Sequence, residues 1–176
     1  MHYSAIKTRD VANGPGIRVS LFVSGCTHRC EGCFQPETWN FTHGQPFTDE
    51  TIREILKLLE PDFVAGLTLL GGEPLEPENQ PELLRLLRKV REMYPRKTVW
   101  CFTGYTLETD IWAKKLGPWE ITEELLSCID VLVDGEFVLA QKNLSLRFRG
   151  SENQRLIDLK QSRRAGHVLL WDDETN

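Results

Sequence analysis

Apolar and polar residues alternate along residues 17–24, with Ile17, Val19, Leu21 and Val23 on one face and Arg18, Ser20 and Ser24 on the other. A period of two predicts a β-strand with one face turned to a core. Asn13-Gly14-Pro15-Gly16, just ahead of it, is turn chemistry: two glycines that tolerate positive φ flank a φ-locked proline. From Asp49 the period changes, and Ile52, Ile55, Leu56 and Leu59 recur at helical spacing behind two acids that suit the positive end of a helix dipole. The short apolar run at residues 66–70 predicts a second strand ending in Gly71-Gly72, and Asn79 with Glu82 three residues on is an N-cap signature for a helix through Tyr94. A third strand is expected at residues 97–103, a helix at 121–128 and a fourth strand at 129–133. Ser151 with Gln154 forms a capping-box pattern for a last helix to Gln161, and residues 166–171 suit a final strand.

Strands that alternate with helices imply a parallel sheet with right-handed crossovers. A full eight-stranded (β/α) barrel takes about 250 residues. This chain has 176, room for four or five such units, so the expected fold is α/β, an incomplete (β/α) barrel or an open, mostly parallel sheet in one domain over residues 1–176. A composition of 40% hydrophobic and 27% charged residues suits one globular core. No apolar run approaches the roughly 18 residues of a membrane span, and the first residues lack a secretory apolar core. A cytoplasmic protein without membrane contact is expected. The net charge of −5 lacks the basic footprint of a nucleic-acid binder, so direct DNA or RNA binding is disfavoured.

Five cysteines in a chain with no export signal favour metal ligation over a disulfide framework. Cys101, in the third strand, and Cys128, at a helix end, fit buried small hydrophobes. Cys26, Cys30 and Cys33 differ: they form C-x3-C-x2-C directly after the first strand. Three thiolates leave an iron–sulfur cluster one ligand short, and the open iron can take a small molecule. A zinc knuckle completed by His28, His43 or a distant residue is the alternative, but no second C-x-x-C or H-x3-5-H follows Cys33. His28 is expected to be solvated or to stand beside the metal rather than to ligate it. At the end of the second strand, Gly71-Gly72 would let a ligand approach the backbone closely and leave C=O and N–H groups free for an amino-acid moiety. Both motifs fall at carboxyl ends of strands, where such sheets bind ligands.

Together these residues resemble the radical S-adenosylmethionine superfamily, which has C-x3-C-x2-C after the first strand and Gly-Gly-Glu after the second. Asn13-Gly-Pro-Gly-Ile-Arg18 looks like the glycyl-radical-enzyme activases. Gly32-Cys-Phe34, Thr103-Gly-Tyr105, Val133-Asp-Gly135 and Phe148-Arg-Gly-Ser-Glu-Asn-Gln154 look like the branch that activates anaerobic (class III) ribonucleotide reductase. The resemblance implies a [4Fe–4S] cluster on Cys26, Cys30 and Cys33, whose fourth iron takes the amino and carboxylate groups of S-adenosylmethionine. It implies cofactor contacts from Gly32, Cys33, Phe34, Gly71, Gly72, Glu73, Thr103 and Asp134. Many superfamily members have an aromatic residue just before the third cysteine; here that position is Gly32 and the aromatic is Phe34, so Phe34 is either a wall for the adenine or ordinary core.

By the same resemblance the cofactor carries the chemistry and no side-chain acid or base is required. The implied partners are the catalytic subunit of the reductase, whose glycine loop enters through the open side of the fold, and a flavodoxin or ferredoxin-type electron donor. Three alternatives stand beside this: activation of another glycyl radical enzyme, a small-molecule radical reaction, and a non-catalytic zinc or iron–sulfur interaction module.

Overall fold

The computed structural model describes residues 1–172; residues 173–176, to which the one-domain expectation also extends, lie outside the described residues. Strands β1 (His2–Asp10), β2 (Ile17–Val23) and β3 (Gln45–Pro46) precede helix α1 (Asp49–Leu59). Then come β4 (Val64–Gly71), α2 (Gln80–Met93), β5 (Thr98–Phe102), α3 (Trp119–Ser127), β6 (Val131–Asp134), β7 (Arg155–Asp158) and α4 (Leu159–Ala165). The seven strands form one open sheet in the order β3-β1-β2-β4-β5-β6-β7. Its four central strands, β2, β4, β5 and β6, are parallel, whereas β1, β3 and β7 pair antiparallel at its flanks. The sheet is therefore mixed, and it does not close into a barrel.

The central strands lie in chain order, so right-handed crossovers put α1, α2 and α3 on the same face. The period-two residues Val19, Leu21 and Val23 of β2 meet Ile52, Ile55 and Leu59 of α1 and Leu83, Leu87 and Val90 of α2 in the main core. Cys101 and Cys128 are buried in that core, as expected. On the opposite face Trp100, Val131 and Val133 carry a smaller cluster, in which Trp100 meets Phe148 and Trp171 edge-on at centroid distances of 5.4 and 5.0 Å.

Three expectations give way. β1 was not anticipated: its outer residues Lys7, Thr8 and Arg9 are exposed and its pairing with β2 shifts register twice, so no clean alternation marks it. The helix expected from Ser151 to Gln161 is instead a turn, strand β7 and then α4. Gln154 Oε1 accepts from the N–H groups of Gly150 and Ser151, which closes the turn and leaves no capping box. The strand expected at residues 166–171 is reduced to one bridge, between Leu170 and Ile157. Among the described residues no helix is long and apolar enough to cross a membrane.

Arg18 fixes the start of β2. It is fully buried on the face away from the helices, and its guanidinium donates to Thr68 Oγ1 (2.7 Å), Leu67 O (2.8 Å), Thr98 Oγ1 (2.9 Å) and Thr98 O (2.9 Å). Burial pulls its pKa down to about 10, so it stays charged at neutral pH. Thr68 Oγ1 in turn donates to Asn13 O, and a Cβ on Gly14 would lie 2.8 Å from Arg18 Cδ, which explains why the turn before β2 needs glycine there. Arg18→Met should lower unfolding stability by about 3 kcal/mol in urea titration, because it orphans several buried acceptors.

Candidate metal centre

The cysteine loop is seated by backbone bonds at both ends. Gly25 N–H donates to Thr38 O (2.7 Å) and Cys26 N–H to Trp39 O (3.3 Å), while Cys33 N–H donates to Cys30 O (3.2 Å) in a tight turn. The end of β4 presses against the end of β2. A Cβ on Gly71 would lie 2.8 Å from Phe22 Cα, and one on Gly72 would lie 2.6 Å from Gly25 O. That closeness consumes N–H groups expected to be free: Gly72 N–H donates to Val23 O (2.7 Å) and Glu73 N–H to Gly25 O (2.8 Å). The Gly72 carbonyl takes no part in these bonds.

Two buried carboxylates from the same turn grip the cysteine loop. Glu76 Oε1 accepts from Thr27 N–H (2.7 Å) and Thr27 Oγ1 (2.6 Å). Glu73, 1% exposed, accepts from Leu75 N–H and Thr103 Oγ1 on one oxygen and from Gly104 N–H and His28 Nε2 on the other. Asn79, expected to cap α2, instead donates from Nδ2 to Ser24 O (3.0 Å) and Glu73 O (2.9 Å), tying the ends of the two strands together.

Burial pushes the Cys26 thiol up to about 12, with Glu73 and Glu76 adding to the rise, and it raises Cys30 as well. Any metal taken up by these thiols must displace their protons. Burial alone would lower the His28 pKa; its hydrogen bonds and charge contacts to Glu73 and Glu136 outweigh that and raise it to about 9.

All three cysteines open into one cavity of about 530 Å³, a size suited to a small cofactor. Gly71, Gly72, Glu73, Thr103 and Phe34 also line it, so the structure brings these expected residues together with the thiols. Phe22, Leu70, Phe102 and Phe148 supply apolar walls. Phe34 is 63% exposed and packs at a tilt against Phe137, with ring centroids 5.1 Å apart, which places it at the rim and outside the core. Gly32 lies outside the lining, with a φ of 72° and Leu139 packed where a Cβ would go. Asp134 also lies outside it: its carboxylate accepts from Arg155 Nε (2.9 Å) and Leu107 N–H (2.9 Å), facing a second, polar hollow beyond His28. Glu76, Asn79 and Glu136 were missed as site residues. The one sequence signal for Glu76 is a second acid three residues after Glu73 in the same turn; Glu136 gives none.

Residues 12–157 match the model of the 4Fe–4S single cluster domain family. The anaerobic ribonucleoside-triphosphate reductase-activating protein of Enterobacteria phage T4 is 44% identical over 158 residues, which cover 89% of this chain and 93% of the relative. Proteins of the same name from Escherichia coli K12 and Vibrio cholerae are 40% and 41% identical, over 88% of this chain and 96% of each relative. The chain belongs to this family of activating proteins.

The residues present fit the cluster that the family description implies. Three free, half-buried thiols face one cavity. Among the described residues no three His, Cys, Asp or Glu side chains are grouped as ligands of a single metal ion. A multi-iron cluster requires no such convergence, because each cysteine takes its own iron.

Two outcomes are expected. Gly72→Ala should cost about 2 kcal/mol in denaturant unfolding and reduce iron uptake, since its Cβ meets backbone that cannot yield easily. In the metal-free protein His28 stabilises the fold fully below its ordinary pKa of 6.5, and that contribution is lost as pH rises through about 9. His28→Ala should therefore flatten that stretch of the stability–pH curve.

Proposed function

We propose that this chain activates anaerobic ribonucleotide reductase as a radical S-adenosylmethionine enzyme, with the incomplete-barrel sheet of that superfamily. Cys26, Cys30 and Cys33 hold a [4Fe–4S] cluster, and S-adenosylmethionine occupies the remaining iron and the cavity beside it. When bound, the reduced cluster and S-adenosylmethionine together supply one-electron cleavage to methionine and a 5′-deoxyadenosyl radical, which takes hydrogen from a glycine Cα of the reductase.

The chain's own residues orient and exclude. The carbonyls at Gly71 and Gly72 receive the methionine ammonium, and Glu73 shapes that end by holding Thr103, Gly104 and His28 in place. Phe22, Leu70, Phe102 and Phe148 keep water and stray hydrogen donors from the reacting carbons, which is orientation catalysis. Phe34 forms a wall at the rim, Gly32 sets the turn that carries Cys33, and Asp134 braces the loop after β5 from behind. The reductase glycine enters at the carboxyl ends of the strands, and a flavodoxin or ferredoxin-type protein supplies the electron.

One observation carries this reading: three thiols and the Gly71-Gly72 backbone face the same cavity in a chain of this family. Anaerobic reconstitution should give about four irons and four sulfides per chain. Adding reductant and S-adenosylmethionine should then yield 5′-deoxyadenosine and, with the reductase, a glycyl radical doublet in electron paramagnetic resonance. Cys30→Ala should abolish both products. A radical signal that survives this substitution contradicts the assignment.

A further inference from the structure

We propose that His28 is a positioning residue that holds the loop between Cys26 and Cys30 in the shape the cluster needs, by bridging Glu73 and Glu136. The inference rests on the cluster reading above.

The imidazole stands between two carboxylates from different parts of the chain. Nε2 lies 3.1 Å from Glu73 Oε2, at the end of β4, and Nδ1 lies 2.7 Å from Glu136 Oε1, just after β6. Each ring nitrogen lies within hydrogen-bond distance of a carboxylate oxygen, so the ring is held at both edges by elements far apart in the chain. The surroundings are shaped around the ring. A Cβ on Gly104 would lie 2.7 Å from His28 Cδ2 and Nε2, and the Tyr105 ring packs against it at a centroid distance of 4.4 Å. The side chain is only 9% exposed, although it lies on a loop between two thiols.

This bridge has a consequence for the loop backbone. Thr27 is held by Glu76 and His28 by Glu73, so two consecutive residues between Cys26 and Cys30 are pinned to the turn after β4. The next residue, Arg29, adopts a φ of 52°, in the left-handed region that side chains seldom enter. Pinned side chains on one side of that residue offset the strain and direct Cys30 into the cavity. Ordinary solvation or a surface ion pair explains neither the burial nor the twofold bridge.

The test uses the anaerobically reconstituted full chain and compares His28→Ala, Glu136→Ala and the double substitution. The readouts are iron content, the electron paramagnetic resonance line shape of the reduced cluster and its midpoint potential. His28→Ala should alter the line shape and shift the potential, and Glu136→Ala should change both by less, because its side chain is 55% exposed. The double substitution should depart from the sum of the two shifts. His28→Ala with the parent's line shape, potential and iron content overturns the proposal, as does strict additivity. If His28→Ala does not fold, Glu136→Ala decides alone: an unchanged potential and line shape overturn the proposal. A parent protein that loads no cluster brings down the cluster reading itself, a result separate from any of these.

Discussion

The close approach of β4 to β2 at their carboxyl ends is the constraint on which the rest of the site depends. Two consecutive glycines permit it, since a side chain at either position would collide with backbone of β2 or of the loop that follows it. Once the strands are that close, the backbone donors of Gly72 and Glu73 close onto Val23 and Gly25. Asn79 then stitches the same junction from beneath. The cysteine loop therefore leaves from a fixed point, and the turn after β4 becomes its support.

Burying two acids under that loop is costly unless every oxygen is occupied. Glu73 meets the condition with four donors drawn from its own turn, the end of β5 and the cysteine loop. Such a carboxylate is held from several directions and joins elements distant in sequence. The arrangement divides the labour: apolar rings line the cavity, and the acids hold the framework around it.

The parts legible in the sequence were those in which a local pattern and the fold agree. Val19, Leu21 and Val23 announce β2 because their face meets helices, and Ile52, Ile55 and Leu59 announce α1 because theirs meets the sheet. The three cysteines and Gly71-Gly72, singled out by spacing and by their place at strand ends, line one cavity. What failed was local grammar overruled by distant partners. Asn79 has the residue type of a helix cap but spends its amide on Ser24, and Gln154 serves a turn, not the helix its position beside Ser151 suggests. His28, Glu76 and Glu136 act across 45, 49 and 108 residues of chain, and no window on the sequence reports such pairs.

The borders of the sheet bear on how another protein can approach. Residues 169–171 run beside β7 and occupy its outer edge, and β3 is two residues long and ends in a proline that has no N–H to offer. The one long border left among the described residues is that of β1, which carries exposed Lys7 and Arg9 and two breaks of register. Charges and bulges of this kind discourage an incoming strand from zipping on. A visiting polypeptide thus gains little by extending the sheet, as a plank would join a floor.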